Sequence, residues 1–132
     1  MVVSGIDHAV IAANSLRETR EAFEAAGFAM TPIAEHIALK AVNTLAMFEH
    51  SYLEVAQATD NQAFGAMLNK ALGVDKENLA MLAFRVDDLA QFAHASGLEV
   101  IEASRPATVP STEGDAKFKL AWLPRDPMET VQ

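Results

Sequence analysis

The chain is expected to fold as one α+β domain in which a β-α-β-β-β unit is followed by a second, shorter copy of itself. Three observations predict this. Short Val-, Ile- and Ala-rich stretches suit strands. Capping residues and glycines bracket stretches of helical period. Finally, the segment from Leu79 repeats the segment from Ile6, and internal repetition on this scale is the signature of a duplicated structural unit.

Val2 to Ala13 reads as a largely buried strand, with Ile6, His8, Val10 and Ala12 on one face and Asp7, Ala9, Ile11 and Ala13 on the other. Ser15-Leu16-Arg17-Glu18 has capping-box spacing and starts a helix. Leu16, Thr19, Phe23 and Ala26 form its apolar face, and Gly27 stops it. Phe28 to Ile33, Val42 to Phe48 and Ser51 to Gln57 are the next strands, with Glu49-His50 a tight connection. Gln62 to Leu72 carries Phe64, Met67, Leu68, Ala71 and Leu72 at helical spacing and is expected to cross the outside of the fold, ending at Gly73.

From Leu79 the pattern restarts. Leu79 to Val86 is a strand, Asp87-Asp88 supply cap oxygens, Leu89 to Ala95 form a short helix, and Gly97 ends it. Laid on the first unit, Asp88-Leu89 falls on Ser15-Leu16 and Gly97-Leu98 on Gly27-Phe28. Leu98 to Ala103 and Lys117 to Leu123 follow as strands around a loop rich in Pro, Thr, Ser and Gly. Pro124 and Pro127 argue against another central strand, so the second half is completed by a partner chain or the chain is part of a longer one. The organisation is a single domain over residues 1–132: a first module at 1–58, a connecting helix at 59–77 and a shortened module at 78–132.

Bulk properties narrow the function classes. Hydrophobic residues make up 51% of the 132 and charged residues 21%, ample for a packed core. The net charge of -8, with ten scattered basic residues, disfavours nucleic acid as a partner. The absence of cysteine excludes disulfides, thiolate ligands and thiol nucleophiles. No apolar run approaches the roughly 18 to 20 residues of a bilayer crossing, and Met1 to Gly5 has no signal-peptide character. These features lead to the expectation of a cytoplasmic protein with no membrane partner.

Gly5-Ile6-Asp7-His8-Ala9-Val10-Ile11, a helix ending at Ala26-Gly27-Phe28, then Leu45-Ala46-Met47-Phe48 and Tyr52-Leu53-Glu54-Val55, resembles a glyoxalase-like domain of the vicinal oxygen chelate superfamily, which includes glyoxalases, bleomycin-resistance proteins and extradiol dioxygenases. The resemblance covers residues 3 to 57 and extends more weakly over 79 to 123. It implies paired modules whose mixed sheets curl into a cup, and in many members a divalent metal inside, such as zinc, nickel, manganese or iron. Carried over by position, the first-strand ligand falls on His8 and the last-strand ligand on Glu54, which in a metal-assisted enzyme would ligate the ion or move a proton. The position that repeats His8 is Met81, a thioether ill-suited to hard divalent ions.

Alternatives stay open at each residue. His8 is a ligand or a hydrogen-bonded histidine lining the cavity; Glu54 is a site carboxylate, a solvated one, or the partner of Arg85 or Lys40. Arg85 repeats Ala12 and either binds a substrate carboxylate or neutralises Glu54. Tyr52, Met81 and Trp122 are expected to wall the ligand pocket, with Met30, Met47 and Met67 as core filler. His36, His50 and His94 fall in surface positions. Three functions follow: a metal-assisted lyase, isomerase, epimerase or dioxygenase; a protein that holds a small molecule without chemistry; or a subunit of a larger assembly. An unpaired edge together with Trp122 and the strand Phe118 to Leu123 predicts a homodimer.

Overall fold

The computed structural model describes residues 3–105 and 116–121. Its elements run β1 (Val3–Ala13), α1 (Leu16–Ala25), β2 (Ala34–His36), β3 (Ala41–Met47), β4 (Tyr52–Ala58), α2 (Ala63–Leu72), β5 (Glu77–Val86), α3 (Leu89–Ser96), β6 (Ile101–Arg105) and β7 (Ala116–Leu120). This is the expected α+β class: a curled, mixed five-stranded sheet in the order β2-β3-β4-β1-β5, with β6 and β7 as a separate ladder. Trp122, expected in the pocket, lies outside the described residues.

The helix signals act as their chemistry requires. Ser15 Oγ accepts from the Glu18 amide at 3.3 Å and Asp88 Oδ1 from the Gln91 amide at 3.0 Å, satisfying amides that a helix start leaves free. Gly97 closes α3 in the left-handed region at φ 70°, where a Cβ would be strained.

One expected strand is displaced. Phe28 to Ile33 makes only an isolated bridge, between Met30 and Ala46, and β2 forms further on at Ala34–His36. Thr31 and Pro32 account for the shift. The Thr31 amide donates to Leu45 O at 2.8 Å, and its hydroxyl accepts from the Leu45 amide at 2.8 Å. Pro32 has no amide to extend that ladder, so regular pairing resumes only beyond it.

Two cores form on opposite faces of the sheet. Ala13, Leu16 and Val55 pack with Phe23, Met30 and Val42, which seats α1 on one face. On the other, Val10, Ala12, Ala41 and Ala56 pack against Leu68 and Leu72 of α2. Strand alternation puts Val10 and Ala12 on the same face as His8, so α2 fills one end of the face that carries the candidate site instead of crossing the outside. Its close approach needs Gly65: a Cβ there would lie 2.5 Å from Lys40 O and 2.2 Å from Asp60 O. No described helix is long and apolar enough to cross a membrane.

Candidate functional site

Strand register assembles the site. β1 pairs parallel with β4, setting His8 beside Tyr52 and Val10 beside Glu54. β3 pairs antiparallel with β4, setting Leu45 beside Glu54 and Met47 beside Tyr52. Since side chains alternate, His8, Tyr52, Glu54, Met47 and Asn43 share one face. The end of this face away from α2 is open.

At the open end the rings of His8 and Tyr52 stack, with centroids 4.4 Å apart and planes 9° from parallel. His8 Nδ1 lies 2.8 Å from Asp7 Oδ2, and Arg85 Nη2 donates to Asp7 Oδ1 at 3.0 Å and to His50 O at 2.6 Å. With Nδ1–H donating to the Asp7 carboxylate, the imidazole lone pair sits on Nε2, which is the tautomer suited to accept a proton or ligate an ion. Burial by itself raises the Asp7 carboxyl. Hydrogen bonds from His8 and Arg85, together with their charges, outweigh that and hold it below its ordinary range. The β3–β4 turn from Met47 to Tyr52 and Arg85 wall a shallow cavity of about 350 Å³ beside this cluster.

Simple alternation places Asp7 on the opposite face. The register explains its reach: Ile6 pairs with Phe84 and His8 with Ala83, leaving Asp7 as an extra residue at a β-bulge, which re-aims its side chain. Arg85 therefore meets Asp7 and not Glu54. Glu54 instead accepts from Asn43 Nδ2 at 3.1 Å.

The remaining predicted residues are placed as follows. Met81 pairs with Val10 on β5 and packs on the α2 core. Met47, expected as core filler, is 53% exposed and lines the cavity. His50 and His94 are exposed as expected. His36 is not: it sits on β2 and is only 7% exposed. The displaced strand is the reason, since it moves His36 from a loop onto the sheet.

A tightly held divalent ion needs three or four protein ligands. Among the described residues no group of three or more His, Asp or Glu side chains converges on one point, and the Glu54 carboxylate is engaged by Asn43. His8 and Glu54 alone do not fit a resident ion.

A model of the glyoxalase-like domain family matches residues 6–131. No curated protein matches the chain. Among solved structures, the fold is similar to that of methylmalonyl-CoA epimerase from Mycobacterium tuberculosis, with a TM-score of 0.62 and 20% identity over 80% of this chain and 73% of that one. A Streptomyces coelicolor methylmalonyl-CoA epimerase variant in complex with 2-nitronate-propionyl-CoA gives a TM-score of 0.63 and 23% identity over 81% of this chain and 80% of that one. A hypothetical protein from Staphylococcus aureus gives 0.67 and 15% identity, over 92% of this chain and 53% of that one. At these identities the structural likeness concerns the fold alone. With the family match spanning nearly the whole chain and the curled mixed sheet in place, the chain belongs to the glyoxalase-like domain family of the vicinal oxygen chelate superfamily.

Proposed function

We propose that this protein binds a small carboxylate-bearing molecule at the open end of its cup and moves a proton on it through His8, as an isomerase or epimerase would. The observation that carries this reading is the Asp7–His8–Tyr52–Arg85 cluster beside the cavity. Asp7 orients the imidazole and leaves Nε2 as a base. Tyr52 fixes the ring plane by stacking. Arg85, at 45% side-chain exposure, offers a guanidinium that suits a carboxylate. Glu54, one rung along the same face, is the second group able to take or return a proton.

Proton exchange tests this directly. Small 2-substituted carboxylates and their thioesters are incubated with the protein in D2O and the α-proton signal is followed by NMR. Methylmalonyl-CoA is included because two of the similar solved structures are methylmalonyl-CoA epimerases. Exchange that falls at least about a hundredfold in His8→Ala, within the usual range for a general base, supports the reading. Ligand binding without exchange would reduce it to a sequestering cup. Elemental analysis of wild type beside the His8→Ala, Glu54→Ala double variant decides the metal: stoichiometric metal lost in the variant would restore the metal-assisted route.

We further propose a homodimer formed through β5. Among the described residues β5 pairs only with β1, and its Leu79, Leu82 and Phe84 are 61%, 45% and 49% exposed. Antiparallel self-pairing centred on Met81 would set Glu77 of one copy opposite Arg85 of the other at both ends.

A further inference from the structure

Among the described residues, three buried side-chain atoms have no hydrogen-bond partner: Nδ1 and Nε2 of His36, and Oδ1 of Asn43. The two residues are 7% and 3% exposed. They also belong together. Ala34 pairs with Asn43 and His36 with Ala41, so His36 and Asn43 are diagonal neighbours on one face of β2 and β3, about 7–8 Å apart. That face is the one carrying Glu54 and His8. A polar diagonal therefore crosses four adjacent strands, from His8 through Glu54 and Asn43 to His36, each step one strand over and one rung along. Around its inner end Ala34, Ala41 and Ala56 add only methyl groups.

Leaving such atoms unpaired in an apolar interior is unfavourable, by about 1–3 kcal/mol per group, and a leucine or phenylalanine at position 36 would avoid the cost. The donor and acceptor count shows what would relieve it. Neutral imidazole offers one donor and one acceptor. The Asn43 amide nitrogen is already committed to Glu54, so its oxygen requires a donor. The complement is a neutral group that both donates and accepts, a hydroxyl or a primary amide. A carboxylate, which only accepts, would face the Asn43 oxygen and the Glu54 charge. This end of the cup thus has the opposite preference to the mouth at Arg85.

We propose that His36 and Asn43 form a second, neutral subsite at the inner end of the cup, which binds a hydroxyl or primary amide of the ligand. The proposal rests on the reading of the cup as a small-molecule site. For a ligand to reach it, β2 is a three-residue strand paired only with β3 among the described residues, and so among the least costly elements to displace.

Long-range 1H–15N NMR resolves the four imidazoles and tests the subsite with acetamide and glycerol as probes and acetate as the acceptor-only control. Acetamide or glycerol is expected to shift the His36 ring and Asn43 side-chain signals saturably, at least tenfold more weakly in His36→Phe, whose melting temperature stays level or rises. Should His36→Phe not fold, Asn43→Ser serves as the second variant. Acetate is expected to move His8 and leave His36 unchanged. If His8 and Tyr52 respond to acetate while His36 ignores acetamide and glycerol, the inner subsite falls and the cup reading stands. Silence at both ends would overturn both. A His36 ring hydrogen-bonded to a persistent buried water, unmoved by any probe, would also overturn the subsite.

Discussion

Asp7 shows how much one re-aimed side chain does here. It orients His8, holds Arg85 over the cavity mouth, and its own acid equilibrium is shifted by the two of them. Its carboxyl is depressed below 3.8, so the stabilisation it brings is present above that pH and lost as pH falls through the lower folded value. Asp7→Asn is expected to flatten the fall of melting temperature below about pH 4, measured by circular dichroism, and to lower ligand affinity at neutral pH. An unchanged acid limb would remove Asp7 as its source. The His8–Tyr52 stack is expected to show a coupling of about 0.5–1.5 kcal/mol in a double-mutant cycle of His8→Ala and Tyr52→Ala by urea unfolding. His8, Tyr52 and Arg85 were legible as candidates because their strand positions were. Asp7 was not, because a bulge depends on pairing with β5, some 75 residues downstream, which no local alternation encodes.

At the scale of elements, α2 decides the depth of the cup. Gly65 brings its first turn against the β2–β3 turn, where the Gly65 amide donates to Leu39 O at 3.0 Å. Gly65→Ala is expected to cost about 1–3 kcal/mol in urea unfolding, because the added Cβ meets backbone oxygens that cannot rotate away. It should also disturb the neighbouring His36 signals, since His36 pairs with Ala41 beside that turn. A stable variant with a native His36 spectrum would show that the helix has room to lift. Helix boundaries were readable because caps act within one turn. The place of β2 was not, since Thr31 answers to Leu45 across the sheet and Pro32 only removes an alternative.

The whole molecule is governed by the edge of its sheet. β5 presents a ten-residue free edge among the described residues, with apolar side chains beside it. In a chain without cysteine, Met81→Cys introduces a single thiol. Pairing about a two-fold axis at Met81 would bring the two thiols within disulfide reach, so mild oxidation is expected to give a covalent dimer at low protein concentration. Leu79→Cys, which faces Ala83 in that register, should crosslink far less. Equal crosslinking of the two variants, or a monomeric mass at high concentration, would sink the β5 interface.

What the sequence determined by itself was the set of parts: an α+β class, its helix caps, most of its strand faces, and a family resemblance carried by the stretch around His8 and the strand around Glu54. These depend on contacts within a few residues, and local chemistry records them. Only tertiary structure decided which polar groups meet. Strand pairing turned Arg85 to Asp7 and Glu54 to Asn43, and slipping β2 past Pro32 took His36 from an assumed surface loop to a buried place on the cup face. The physical reason is register: a shift of one residue in one strand exchanges its two faces, and register is set by partners distant in the chain.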